Sequence, residues 1–578
     1  VEQKLKLLIK NNFTVLFITA IGGISAFLGL VFGRMSPFAE GITPTKIVVL
    51  IFFFAVAVGT VMLLPKNINY EVNLKAVFIV LLSLCFEVFA INGMNNQNFF
   101  LVLCNLSILL FVTVHLHKTK QLTNENAVIL IILASFFIQL SYILATSVSV
   151  RQHDVGAFNS NNVGHASYIE HFVTTLKLPN LTEISARIGA HTIIQFYHPP
   201  VHYFLAALWV RIQLFIKVPL DQAVEGIQFL TMFYSTTCVI VAKRIFEELD
   251  LEGKYLPMAV SVVAFCPVFI IFSGSINNDV LSVLFFLAAM LATIKWMKSD
   301  RIAHLLQMAI FIGMGMSTKF NAGVIAVPIA AVMLTKLIKE KNKIRNIKQY
   351  AIFAAMVFPL GLWWPVRNLL LYGTLPSVPR LPDSSNQYVG FRSLFERYIP
   401  FVGMGRQPYF RNGPEVFEYN VWSGLFKSSA FGEFSLPPHS TWAAKFAGVL
   451  FAATVMVCTI SFLALLYSYI IKKEYVKKEK SFMVFTYAAL LVSYIGFCYQ
   501  FPHMCTMNVR YVSPLVIVGA FFLADAMQLL RKQANSKKDT DSTIIYLHLG
   551  EFMVQSIIVF YILSSVLVYT LLNIPKPI

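Results

Sequence analysis

Stretches of about 20 apolar residues, each able to cross a hydrocarbon layer roughly 30 Å thick as a helix, recur from one end of this chain to the other. Runs such as 46–64 and 549–573 are almost unbroken. With 57% apolar and 13% charged residues in 578, too little polar surface exists to cover a soluble globule of this length. The strict alternation of an outer-membrane barrel is missing, so the spans are read as helices that satisfy their own backbone. The fold expected is an all-α polytopic membrane protein.

Spans are predicted near 13–33, 46–64, 76–92, 99–115, 126–149, 225–242, 256–272, 279–295, 302–317, 320–336, 350–371, 443–471, 481–499, 511–529 and 549–573, within a bundle of about 14–16 spans. This divides the chain into an N-terminal four-helix membrane module (1–125), a core (126–371), a second external loop (372–442) and C-terminal helices (443–578). The first external loop is 150–224. Lys4, Lys6 and Lys10 precede a first apolar run that lacks a small-residue cleavage site, which predicts an uncleaved span with its N-terminus inside.

A formal charge of +18 would suggest nucleic acid in a soluble protein. Here the larger share of the Lys and Arg falls in short loops on one side, including Lys336, Lys339, Lys341, Lys343, Arg345 and Lys348, so the charge reports orientation and no nucleic-acid partner is expected. The segment 198–217 is apolar enough to span but carries Arg211 and Lys217. Crossing would flip the later basic loops outward, so it is predicted to be re-entrant or interfacial; an ordinary span with a miscount elsewhere is the alternative. The seven cysteines show neither metal spacing nor a disulfide framework and read as packing residues.

The ionisable residues that cost most in such a chain collect beside the predicted external loops. Span 126–149 runs into Arg151-Gln152-His153-Asp154, which sets a carboxylate where a general base can stand. Six of the twelve histidines (His153, His165, His171, His191, His198 and His202) share that loop. Scattered interfacial histidines, with Asp154 capping a helix or pairing with Arg151, are the plain alternative, and no HExxH-type spacing supports zinc. His198-Pro199-Pro200-Val201-His202-Tyr203 opens a helix with prolines in its first turn, a terminus that favours an anion such as phosphate. Asn278-Asp279, Lys319, Arg367 and Arg510 lie at outward turns and span ends, where cations would suit a lipid-linked phosphate or simply snorkel to headgroups. Tyr388, Tyr398, Tyr409, Tyr419 and Trp422 in the second loop suit either sugar stacking or the bilayer interface.

Asp154 at the end of a span, the HPPVHY opening, Asn278-Asp279, Thr318-Lys319-Phe320, and Arg510-Tyr511 before a proline-containing span together resemble the GT-C polyprenyl-phosphate-sugar glycosyltransferases, family 39-like, the protein O-mannosyltransferase and lipid A aminoarabinose transferase group. The resemblance covers roughly residues 126–530 and rests on the order of these elements. It implies a polyprenyl-phosphate sugar donor, a glycan, lipid or protein acceptor on the extracytoplasmic side, and transfer with inversion. Asp154 would be the base. His198, Lys319, Arg367 and Arg510 would meet the donor phosphate, and His153, His202, Tyr203, Asn278, Asp279 and Tyr511 would line the substrate site. No cofactor is expected; a divalent metal is compatible but not required.

The chain departs from the protein O-mannosyltransferases in carrying Asp154-Val155 where they have paired Asp-Glu, and no insert domain of theirs is visible, so neither mannose nor a protein acceptor follows. The membrane expected is a bacterial plasma membrane with the site facing outside, or alternatively the endoplasmic reticulum. A lipid-linked glycan flippase or transporter, and a glycan ligase or polymerase, remain as rival functions. A transporter would place its charges nearer the midplane.

Overall fold

A computed structural model of the chain describes residues 97–150, 154–160, 163–188, 194–373, 387–400, 408–409, 418–433, 442–472, 476–536 and 541–572, with isolated positions between 19 and 88 and at 383 and 385. Most of the predicted spans 13–33 and 76–92, all of 46–64, and with them most of the N-terminal module lie outside the described residues, as do His153 and His191. What is described is helical. Its extended pairing is an isolated antiparallel bridge between Tyr388 and His503.

In chain order the helices are α1 (Gln97–Lys118), α2 (Asn124–Ala145), α3 (His165–Thr175), α4 (Leu181–Ile188), α5 (Val201–Phe215), α6 (Leu220–Glu225), α7 (Ile227–Glu248), α8 (Tyr255–Ala264), α9 (Pro267–Gly274), α10 (Asp279–Ser299), α11 (Ile302–Met316), α12 (Ala326–Lys339), α13 (Lys343–Tyr372), α14 (Leu394–Tyr398), α15 (Val421–Phe431), α16 (Trp442–Leu466), α17 (Lys478–Gln500), α18 (Leu515–Ser536) and α19 (Asp541–Thr570). A 3₁₀ turn over Phe320–Ile325 leads into α12.

Among the described residues nine helices are long and apolar enough to cross a membrane, and ten if α8 and α9, bent by 46° where Pro267 follows Cys266, count as one broken span. That is fewer than the expected 14–16, for three reasons. The first spans fall outside the described residues. Helix α11, predicted as a span over 302–317, has 15 residues and rises only about 22 Å. Helix α18 carries Asp525, Arg531 and Lys532 and does not qualify by composition. Instead α18 packs against α8 and α16, and its residues from Ala520 to Leu529 are buried. The protein interior, rather than lipid, surrounds its one mid-helix acid.

Helix α5 is also too short to span at 15 residues. It packs on α3, and Arg211 donates to the Val173 carbonyl at 2.9 Å. Its opposite face leaves Leu208, Ile212 and Phe215 exposed, as an amphipathic helix lying in an interface would.

The remaining packing sets one end of the bundle. Helix α7 packs against α2, α9 and α10; α10 against α11; α11 against α13; and α16 against α18 and α19. Gln228, at the start of α7, donates to the carbonyls of Thr146 and Gly274, which ties the ends of α2 and α9 to it at 2.9 and 3.2 Å. The end of α13 joins the same face: Trp364 Nε1 donates to the Tyr197 carbonyl at 2.9 Å, and Trp363 Nε1 to the Ser317 hydroxyl at 2.8 Å. This end holds the residues singled out by the sequence.

Candidate functional site

Asp154 is exposed and sits with φ +50, in the left-handed region that Asp tolerates better than most residues. Its backbone is fixed by the first turn of α3: the His165 and Ala166 amides donate to the Asp154 and Val155 carbonyls at 2.8 and 2.7 Å. Gly164 allows this approach, since a Cβ there would fall 2.3 Å from the Asp154 carbonyl oxygen. The side chain at 154 is therefore presented by a constrained loop, not by a free strand of chain.

Behind it stands a column of rings. His165 Nδ1 and the Tyr203 hydroxyl share a hydrogen bond of 2.8 Å, His165 stacks on His198 with centroids 6.0 Å apart, and Tyr203 stacks on Tyr168 at 4.1 Å. The HPPVHY segment reaches this column because Pro200 caps α5 and the Val201 amide donates to the Ser317 carbonyl at 3.2 Å. One of the helix's free amides is thus already used by the protein itself, which narrows the anion site expected there.

The second half of the cluster comes from the α9–α10 and α11–α12 turns. Asn278 Nδ2 donates to the Thr318 carbonyl at 2.8 Å, which clamps the two turns together. Asp279 and Lys319 then form a buried ion pair, with 3% and 12% of their side chains exposed. The Lys319 ammonium also lies 5.1 Å from the centre of the Tyr511 ring. Tyr511 belongs to the turn before α18, packs on Phe497 at 4.8 Å, and receives a hydrogen bond from Arg510 at 2.9 Å.

Arg510 brings in a residue that sequence reasoning missed. Glu433 lies 3.5 Å from the guanidinium, each side chain 13% exposed, and accepts from Asn508 Nδ2 at 2.6 Å. Glu433 is held there by the end of α15. Asn420 caps the start of that helix by accepting from the Trp422 and Ser423 amides, and the Ser428 hydroxyl accepts from the Val509 amide at 2.9 Å. Gly432 then turns the chain at φ +68, ψ −150, a conformation essentially restricted to glycine. The sequence signal was slight: an acid after Phe431-Gly432 in a loop otherwise read for its aromatics.

Electrostatics show how closely these groups sit. The His165 imidazole is held well below its usual pKa by burial and then by the charges of His198, Lys319 and Arg510. His198 keeps some solvent contact; burial of most of its ring, and next the Lys319 charge, hold it at about 3. Burial brings His202 to about 4, against the opposing effect of its hydrogen bond to the Ile276 carbonyl. All three imidazoles are neutral at pH 7, so His198 meets an anion as a hydrogen-bond donor and not as the fixed cation the sequence suggested. Burial drives the Cys505 thiol up to about 12, with the charges of Glu433, Arg510 and Asp154 all felt there. Asp154 is felt at Tyr203 as well. Contacts run from the Asp154 loop to His165 and Tyr203, from Val201 to Ser317 beside Lys319, and from Lys319 over Tyr511 to Arg510, so three distant stretches of sequence meet in one cluster.

Arg367 is used differently. It donates to the Pro179 carbonyl at 2.7 Å and to Asn368 Oδ1 at 3.0 Å, with its guanidinium 4.8 Å from the Trp364 ring. These bonds anchor the segment before α4, across Tyr168 from the histidines, rather than joining Lys319 and Arg510. The loop aromatics are likewise engaged within the protein: Tyr409 packs on Phe431, Trp422 donates to the Tyr398 carbonyl, Tyr419 lies under Arg392, and Tyr388 meets His503.

Residues 197–364 match the family model described as dolichyl-phosphate-mannose-protein mannosyltransferase, a stretch that holds HPPVHY, Asn278-Asp279 and Thr318-Lys319-Phe320. No curated protein matches the chain.

Proposed function

We propose that this chain is a membrane glycosyltransferase of the GT-C type, a reading supported by the family match over residues 197–364, and that it moves a sugar from a polyprenyl phosphate to an acceptor hydroxyl with inversion at the anomeric carbon. The observation that supports this reading is the set of contacts linking the loop of the exposed carboxylate Asp154, through His165 and the start of α5, to the turns that carry Lys319 and Arg510. Asp154 takes the proton of the acceptor hydroxyl as its oxygen bonds to the anomeric carbon. The bond from that carbon to the phosphate oxygen breaks, and its electron pair leaves with the polyprenyl phosphate.

The developing phosphate charge is met by the Arg510 guanidinium, whose Nε is buried without a hydrogen-bond partner, and by Lys319. Because Lys319 is locked to Asp279, and Asn278 fixes the turn that carries Lys319, the cations need little rearrangement as the bond breaks. His198 and Tyr203 flank His165 behind the Asp154 loop, and His202, bonded to Ile276, holds the α5 start in place. In this reading no metal takes part. The site faces the extracytoplasmic side of a bacterial plasma membrane, and Arg367 positions the loop without touching the donor.

The test is transfer from a labelled polyprenyl-phosphate hexose by the purified, full-length protein in lipid. Replacing Asp154 with Asn should lower the rate at least about 10²-fold while leaving the melting temperature unchanged. Transfer at the wild-type rate by Asp154→Asn would remove the base assignment. No release of labelled sugar by the wild-type protein with any polyprenyl-phosphate hexose, together with movement of the lipid across the bilayer, would turn the reading to a flippase.

A further inference from the structure

Among the described residues the cluster holds three carboxylates, Asp154, Asp279 and Glu433, and the Arg510 guanidinium that the proposed transfer assigns to the donor phosphate is already faced by one of them, Glu433, at 3.5 Å. A phosphate that takes this seat displaces a carboxylate from it.

The three differ in how firmly they are held. Asp279 opens α10, is 2% exposed, and its own amide donates to Asn277 Oδ1 at 3.0 Å, so its backbone and its partner are both fixed. Asp154 carries the proton-accepting role in the proposed transfer. Glu433 hangs from the end of α15 beyond Gly432 and meets Arg510 at 3.5 Å, a looser pair than Asp279 makes with Lys319. Its charge is also felt at Lys319. The hydrogen bond it accepts from Asn508 Nδ2 can persist while the carboxylate turns off the guanidinium.

We infer that Glu433 is an exchangeable stand-in for phosphate: its carboxylate occupies the Arg510 guanidinium in the empty site, yields that face to the phosphate of the polyprenyl carrier, and returns to expel the spent polyprenyl phosphate. This rests on the reading that Arg510 takes the donor phosphate. A guanidinium fork accepts carboxylate and phosphate alike, so the two anions compete for one seat. Glu433 is thus a positioning residue that sets product release, while the donor's own phosphate supplies the anion during transfer.

The experiment measures binding of farnesyl phosphate, and of farnesol as its uncharged counterpart, to the full-length protein in nanodiscs. Glu433→Gln keeps an acceptor for Asn508 and removes the competing charge. It should tighten farnesyl phosphate about fivefold to tenfold, chiefly through slower release, and leave farnesol unchanged. Unchanged or weaker farnesyl phosphate binding would overturn the inference. Arg510→Gln separates the two levels: if it binds farnesyl phosphate as the wild type does, the phosphate reading itself fails, whereas if it loses binding while Glu433→Gln gains nothing, only the exchange role fails. A second measurement needs no variant. Carbodiimide labelling of wild-type Glu433 should rise about threefold on adding farnesyl phosphate and stay level with farnesol; protection or no change would count against exchange.

Discussion

The two ends of the helical bundle differ in how far they expose their ion pairs. At the end that carries the candidate site, Asp279 and Lys319 are paired out of reach of most solvent, and Glu433 and Arg510 nearly so. At the other end Asp250 faces Lys298 and Lys477 at 3.3 and 2.8 Å, with 48% of Asp250 and 65% of Lys477 exposed, and Asp300 pairs with Lys336 and, at 3.3 Å, with the exposed Arg345. Both ends are rich in ion pairs, and the second also hides one, Lys480 with Asp525 at 2.8 Å, but most of its pairs stay open to solvent. Buried pairs add little net stability, and breaking one is costly, so their retention points to a use for the charges themselves. Exposed pairs are worth little and are replaceable.

This contrast is open to direct attack. The largest effect is expected from Lys319→Met, which strands the Asp279 carboxylate in a buried site and should cost about 3–5 kcal/mol, read as a lower melting temperature or loss of folded protein. Adding Asp279→Asn to it should restore most of the stability but none of the glycosyl transfer. If the double variant recovers transfer as well, the pair is structural and the comparison breaks.

A smaller effect comes from the neutral imidazoles. His198 and His202 titrate near 3 and 4 in the folded chain and near 6.5 when unfolded, so below about pH 6.5 the unfolded state binds protons that the folded state does not. Their contribution to stability is therefore complete above about 6.5 and is lost as pH falls from there towards 3. The loss should reach about 1–2 kcal/mol for each ring by pH 5, and a melting series from pH 7.5 to 5 should show a slope that His202→Gln flattens. A flat wild-type series would mean that folding leaves both rings at their ordinary pKa.

The smallest effect is predicted at the other end. Lys477→Ala leaves Asp250 with Lys298 and should change stability by less than about 1 kcal/mol, with glycosyl transfer unaffected. A loss comparable to that of Lys319→Met would show that the exposed network is as demanding as the buried one.

Much of the architecture could be read along the chain because the bilayer imposes a local rule. The spans predicted at 126–149, 279–295, 320–336, 443–471 and 481–499 meet helices within a few residues, since each satisfies its own backbone and its own apolar length. The reading of 198–217 as a segment that does not cross rested on Arg211 and Lys217, and the helix found there, Val201–Phe215, has 15 residues. Asp154, Lys319 and Arg510 were legible as ionisable groups with no local excuse in an apolar chain.

What the sequence determined by itself, then, was the solvent this protein folds in, the places where its helices start and stop, and the few charged side chains that such a solvent makes expensive. Only the tertiary structure decided their partners: Asp279 meets Lys319 across 40 residues and Glu433 meets the 508–510 turn across about 75, and no periodicity encodes pairings that distant. It also decided charge state and employment, leaving the histidines neutral, committing Arg367 to Pro179, and letting α18 keep Asp525 because protein rather than lipid surrounds it. The physical reason is that hydrophobic length is a property of a segment, whereas burial of a charge is a property of everything packed around it.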